Sequence, residues 1–120
     1  MVVRTNTRYR NSSGVIGHEH QVAIAVPVRA PQPNGLPSSG EGGDLDLIED
    51  AICSLLETES ESLFVAVITT SGMREFALYT RSPEQVKQKF ERVRSSIKTH
   101  EIQLMIKPDK DWHGYFRLIK

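Results

Sequence analysis

The run LFVAVITTSGMREFALY, Leu63 to Tyr79, constrains the fold of this chain more than any other stretch. Two β-rich halves flank Ser71-Gly72, where glycine supplies the positive φ that a two-residue hairpin turn needs. With those two residues at the centre, Val67 pairs with Phe76, Val65 with Leu78 and Thr69 with Arg74. One sheet face then collects Leu63, Val65, Val67, Phe76 and Leu78, and the other collects Phe64, Ala66, Ile68, Met73, Ala77 and Tyr79. A slip of one residue would set Val67 against Glu75 and mix the faces, so one register is favoured. The second face is itself apolar, which predicts that the N-terminal segment or a partner chain covers part of it.

The 120 residues make one domain, with a modest core. A formal net charge of zero argues against indiscriminate binding to nucleic acid or membranes. Charge is nevertheless unevenly placed: Asp44 to Glu61 holds seven carboxylates and no Lys or Arg, whereas Leu63 to Lys120 holds eleven basic residues against six acidic ones. The single cysteine, Cys53, excludes an internal disulfide framework and a cysteine-rich zinc site. No apolar run has the length of a membrane span, and Met1 to His20 lacks the hydrophobic centre of a signal peptide, so a cytoplasmic protein is expected.

Residues 1–20 read as a partly flexible arm carrying Arg4, Arg8 and Arg10, and residues 21–120 as a single domain. His18-Glu19-His20 has metal-binding residue types but no supporting ligand pair nearby, so no metal is expected there. Gln21 to Val28 alternates as a strand, with Val22, Ile24, Val26 and Val28 inward and the ladder weakening at Pro27. Ala30 to Gly43 reads as a loop. Asp44 then caps a helix with Leu45, Ile48, Ile52 and Leu55 on its apolar stripe and Asp46, Glu49, Asp50 and Glu57 outside. After the hairpin, Ser82-Pro83-Glu84-Gln85 has the form of a capping box with proline in the first turn. Val86, Phe90, Val93 and Ile97 follow as the stripe of a second helix, with Lys87, Lys89, Arg92, Arg94 and Lys98 outward. Glu101 to Lys107 gives a last strand, with Ile102, Leu104 and Ile106 inward. Near the end, Asp109 or Asp111 is expected to cap a short helical turn that brings Trp112 and Tyr115 to the edge of the core.

The order strand, helix, strand, strand, helix, strand predicts an α+β, ferredoxin-like split βαβ (βαββαβ) fold. Its four-stranded antiparallel sheet would have spatial order 4-1-3-2 and two helices on one face. Pro33-Asn34-Gly35-Leu36-Pro37 with Leu47-Ile48-Glu49-Asp50-Ala51, then Thr69-Thr70-Ser71-Gly72-Met73-Arg74-Glu75-Phe76, then Pro108 to Tyr115, resemble three successive motifs of domain-of-unknown-function family 695. The resemblance spans about Gln21 to Tyr115 and implies a bacterial ferredoxin-like domain of unestablished activity, distantly similar to the regulator of ribonuclease E activity B proteins. Its motif residues here are Arg74, Asp109, Trp112 and Tyr115. Three of these read as structure. Arg74 falls on the core-facing side of the hairpin end, where a guanidinium needs a carboxylate, with Glu49, Asp50 and Asp109 as the candidates.

The fold alone assigns no activity. The expected function is a non-catalytic protein-interaction or regulatory module that uses Phe64, Ile68, Met73 and Tyr79, or the exposed edge of the second strand, to pair with itself as a dimer or with another protein. RNA binding or ribonuclease regulation is the alternative, weakened because Tyr79 is the one aromatic on the open face of the two central strands. A small enzyme would need Arg74, Asp109, Asp111 and His113 to converge. No cofactor, metal or membrane partner is expected.

Overall fold

A computed structural model describes residues 2–7, 17–29, 32–33, 37–56, 62–70 and 72–119. Arg8, Arg10, Glu57, Ser71 and the Asn34-Gly35-Leu36 part of the first family-like motif lie outside the described residues. The elements are β1 (Val2–Thr5), β2 (His20–Pro27), α1 (Ser39–Leu56), β3 (Ser62–Thr70), β4 (Met73–Thr80), α2 (Pro83–Ser96), β5 (Gln103–Pro108) and α3 (His113–Leu118). The fold is α+β, and the antiparallel sheet has five strands, ordered β1-β3-β4-β2-β5, rather than four. The extra strand comes from the segment expected to be an arm: Val2 to Thr5 pairs with Thr69 to Ala66 along the outer edge of β3. The edge of the second predicted strand is therefore covered.

Two apolar layers sandwich this sheet. On one face Val22, Ile24, Val26, Val67, Phe76 and Leu78 meet Leu45, Ile48, Ile52 and Leu56 of α1 and Val86, Phe90 and Val93 of α2. On the other, Val65, Ala66, Ala77 and Tyr79 are closed over by Trp112 and Tyr115. A third helix thus occupies the face opposite α1 and α2, and the second apolar face of the hairpin is filled by the chain's own C-terminal segment.

The hairpin register holds near the turn, where Val67 pairs with Phe76 and Thr69 with Arg74, and Gly72 has φ +81°. Further out it shifts. A bulge between Phe64 and Ala66 sets Phe64, not Val65, opposite Leu78. One extra residue in a strand reverses the facing of everything beyond it. Phe64 therefore packs on the helix-side core, 6.4 Å from the Phe76 ring, while Leu63 and Val65 join the opposite cluster.

Three local expectations change as well. Helix α1 starts at Ser39, through Gly40, Gly42 and Gly43, instead of at Asp44. Ser38 Oγ accepts the Glu41 amide at 3.3 Å, and buried Glu41 anchors the first turn from within. At α2, Pro83 stands in the first turn as expected, but the Ser82 side chain makes no cap bond. Instead the Thr80 hydroxyl accepts the Ser82 amide at 3.0 Å. The ladder also does not weaken at Pro27, which pairs with Met73. Val28 N donates to Gly72 O at 2.9 Å in the same register, so even-numbered residues of β2 turn their amides toward β4 and odd ones toward β5. Pairing with β5 ends at Ala25, so the donor missing at Pro27 leaves no ladder bond unmade.

Candidate functional site

The expected interaction surface does not exist as one surface. Phe64 faces the helices. Tyr79 is fully buried, its ring stacked on Trp112 with centroids 4.2 Å apart and planes 12° from parallel. Ile68 and Met73 remain half-buried on the second face, toward the turn end.

Asp109, Trp112 and Tyr115 do converge, and their roles are architectural. Asp109 follows β5 and accepts the His113 amide through Oδ1 and the Gly114 amide through Oδ2, both at 2.9 Å, capping α3 as expected of it. The Tyr79 hydroxyl donates to the same Oδ2 at 2.5 Å and accepts the Tyr115 amide at 3.2 Å. Trp112 adopts a left-handed backbone, φ 59°, and its indole N–H donates to His18 O at 2.7 Å. Tyr115 packs edge-on against Trp112 and donates to Asn6 O at 2.6 Å. At Gly114 a Cβ would stand 2.7 Å from Gln21 Nε2 and 3.2 Å from the Tyr79 hydroxyl, so a larger residue there needs the Gln21 amide to swing aside.

Burial, and then the bond to Asp109, push the Tyr79 phenol above its ordinary value. Burial alone would raise the Asp109 carboxyl; the Tyr79 hydroxyl and the Gly114 and His113 amides outweigh it and hold the group below the usual carboxylate value. A lowered folded value means that Asp109 adds stability above the unfolded carboxylate pKa, roughly 4, and loses it as pH falls through the folded value. Urea midpoints measured from about pH 6 down to about pH 3 should therefore fall less steeply in Asp109→Asn than in wild type.

Arg74 lies elsewhere. It sits on the helix face near the hairpin turn, whereas Tyr79 and Asp109 meet on the opposite face some five residues, about 17 Å, along β4. Its Nε donates to Thr69 Oγ1 at 3.2 Å, and its nearest carboxylate is Asp46, at 3.9 Å, rather than Glu49, Asp50 or Asp109. Glu49 is held by Arg4 of β1 at 2.5 Å, so the two arginines take acids one helical turn apart around a cavity of about 190 Å³. Arg74, Asp109, Asp111 and His113 therefore do not form a common site. Among the described residues no cluster of three or more His, Cys, Asp or Glu is arranged to hold a metal ion, and no helix is long and apolar enough to cross a membrane.

A buried polar pair escaped the sequence pattern. Glu41 Oε2 lies 2.6 Å from His100 Nε2 and accepts the Arg29 amide at 2.5 Å, tying the start of α1 to the end of β2 and to the α2–β5 connection. Ser38-x-x-Glu41 has the spacing of a helix start and was the signal available. Nothing in the sequence pairs it with a histidine 59 positions away.

Among the described residues the sheet ends in two edge strands, the four-residue β1 and the longer β5. The amide directions of β5 follow from one bond. Asp109 N donates to Glu19 O at 2.8 Å, continuing the β2–β5 register, so Gln103, Met105 and Lys107 turn their backbone groups to β2. Leu104 and Ile106 turn theirs outward, as would Pro108, which has no N–H to leave exposed. A groove of about 460 Å³ runs along this edge on the helix side, between Leu104 and Ile106 on one hand and Pro83, Glu84 and Lys87 of α2 on the other. Met105, on the second face of the same strand, is 64% exposed. Among the described residues no strand pairs with the outer side of β5, and an edge of this kind beside a groove is the geometry by which a sheet accepts a further strand.

A family model described as a family of unknown function (DUF695) matches residues 1–119. No curated protein and no solved structure matches the chain. Neither result carries the distant similarity to the regulator of ribonuclease E activity B proteins.

Proposed function

We propose that this chain, which belongs to the family of unknown function DUF695, is a non-catalytic protein-interaction module that binds by adding a partner strand to the edge of β5. The observation that carries this reading is the pair of outward-turned backbones at Leu104 and Ile106, beside the groove under α2 that Pro83, Glu84 and Lys87 line from above. Backbone bonds along such an edge supply attraction, and side-chain pockets beside it supply selectivity. We read the four strands ordered β3-β4-β2-β5 as a ferredoxin-like split βαβ unit to which β1 and α3 are additions. RNA is the less favoured partner, because Trp112 already occupies the Tyr79 ring on the face where base stacking would occur.

Capture from lysate of the source cell, with and without nuclease, tests the reading on three forms of the chain: wild type, Ile106→Ala and Ile106→Pro. Both substitutions remove the isoleucine side chain, and proline also removes the outward N–H. A specific protein held by wild type and by Ile106→Ala, insensitive to nuclease and lost with Ile106→Pro, is the expected result. Recovery indifferent to the proline, or recovery of RNA abolished by nuclease, overturns it.

A further inference from the structure

From the edge reading, on which this step rests, we infer that the strand added to β5 is the β5 of a second copy, running antiparallel about a two-fold axis through Leu104. The β5 sequence permits several two-fold registers, since outward-turned residues must pair with outward-turned residues. The register centred on Leu104 pairs Leu104 with itself and Gln103 with Met105 inside the strand. Extending the strand on pairing by the two residues before Gln103 adds Ile102 opposite Ile106 and Glu101 of each copy opposite Lys107 of the other. Shifting the axis to Met105 would bring Lys107 opposite Gln103 and leave Glu101 without that partner. The outward donor missing at Pro108 falls beyond the paired core.

An independent match comes from α2. Glu84 with Lys87, and Glu91 with Arg94, form exposed pairs at 3.4 Å each, repeating after seven residues and so lying on one stripe. Glu84 and Lys87 line the groove above β5, which places that stripe on the free side of the helix. The same two-fold that joins the sheets lays two α2 helices side by side and antiparallel, because strands about 4.8 Å apart bring the helices above them to packing distance. The stripe read forward is acid, base, acid, base. Read against itself in reverse, Glu84 meets Arg94 of the second copy and Lys87 meets Glu91. It is thus self-complementary in the antiparallel sense and like-charged in the parallel sense. Exposed charge pairs of this kind contribute orientation and partner choice more than affinity. The groove between each α2 and its own β5, floored by Leu104 and Ile106, closes in the same step.

A charge-exchange experiment on the full chain reads this directly by sedimentation equilibrium. Wild type is expected to move with concentration from the 13.5 kDa monomer toward twice that mass. Variant one carries Glu84→Lys and Glu91→Lys; variant two carries Lys87→Glu and Arg94→Glu. Each alone presents a stripe of one sign and should self-associate at least about tenfold more weakly than wild type, whereas an equimolar mixture should restore the dimer. Far-UV circular dichroism verifies that both variants are folded. A wild type that stays monomeric at every concentration overturns self-pairing. So do variants that dimerise as wild type does, and so does a folded mixture that fails to associate. A monomeric wild type whose captured partner still depends on the Ile106 amide removes only the second copy as occupant; loss of that dependence removes the edge reading as well.

Discussion

Trp112→Ala is expected to cost about 3–5 kcal/mol of folding stability, the range for truncating a fully buried aromatic. The indole has no exposed surface. It stacks on Tyr79, takes the Tyr115 ring on its edge and donates to His18 O. Truncation removes all three contacts and opens a cavity in a layer one short helix thick, where few neighbours can move in. Since domains of this size hold about 5–15 kcal/mol in all, a large share of the margin would go. Trp112→Phe separates the contributions by keeping a ring on Tyr79 while losing the indole donor, and should cost clearly less. Urea unfolding followed by circular dichroism measures both. A loss below about 1 kcal/mol for alanine would mean that α3 is not part of the cooperative unit.

Glu41→Ala should also be severe, because it leaves the buried His100 ring nitrogen without its partner, at about 1–3 kcal/mol, and takes away the acceptor of the Arg29 amide as well. The His100 side chain is fully buried and Glu41 nearly so. Alanine leaves the His100 ring nitrogen and the Arg29 amide without their shared carboxylate, and removes the residue that anchors the first turn of α1. Glu41→Gln keeps a carbonyl for the Arg29 amide and should recover part of the loss. In a double-mutant cycle, adding His100→Ala to Glu41→Ala should cost less than the two separate losses combined, since neither partner is then left behind. Additivity would show that the 2.6 Å contact contributes no coupling.

What the sequence made legible was periodic. Period-two alternation placed the inward residues Val22, Ile24 and Val26, and the helical stripes placed Ile48, Ile52, Phe90 and Val93, because each pattern follows from backbone geometry alone. The failures occur where a tertiary contact outweighs local preference. Three glycines in the first turns of α1 argue against a helix there, at about 1 kcal/mol each, yet buried Glu41 holds it. β1 is only four residues long and gains a ladder because β3 presents an edge. The bulge between Phe64 and Ala66 lets Phe64 and Val65 fill opposite cores at once, and no alternation rule contains a residue counted twice. At the candidate site the motif residues were visible and their destination was not. Trp112 and Tyr115 read as sealing a core edge, whereas with Tyr79 they build a second core, and Asp109 caps the helix that carries Tyr115. The β5 edge became apparent only from the direction of one amide, that of Asp109.

The bond from the Tyr115 hydroxyl to Asn6 O joins positions 109 apart in the chain. During synthesis on a ribosome, the helix-side layer can assemble once β5 has emerged, but the opposite face closes only when α3 follows. Until then Tyr79, Ala66 and Val65 lack the cover of Trp112 and Tyr115, and the growing chain displays an apolar patch that the finished molecule hides. The first turn of α3, which carries Tyr115, acts as the latch of the fold.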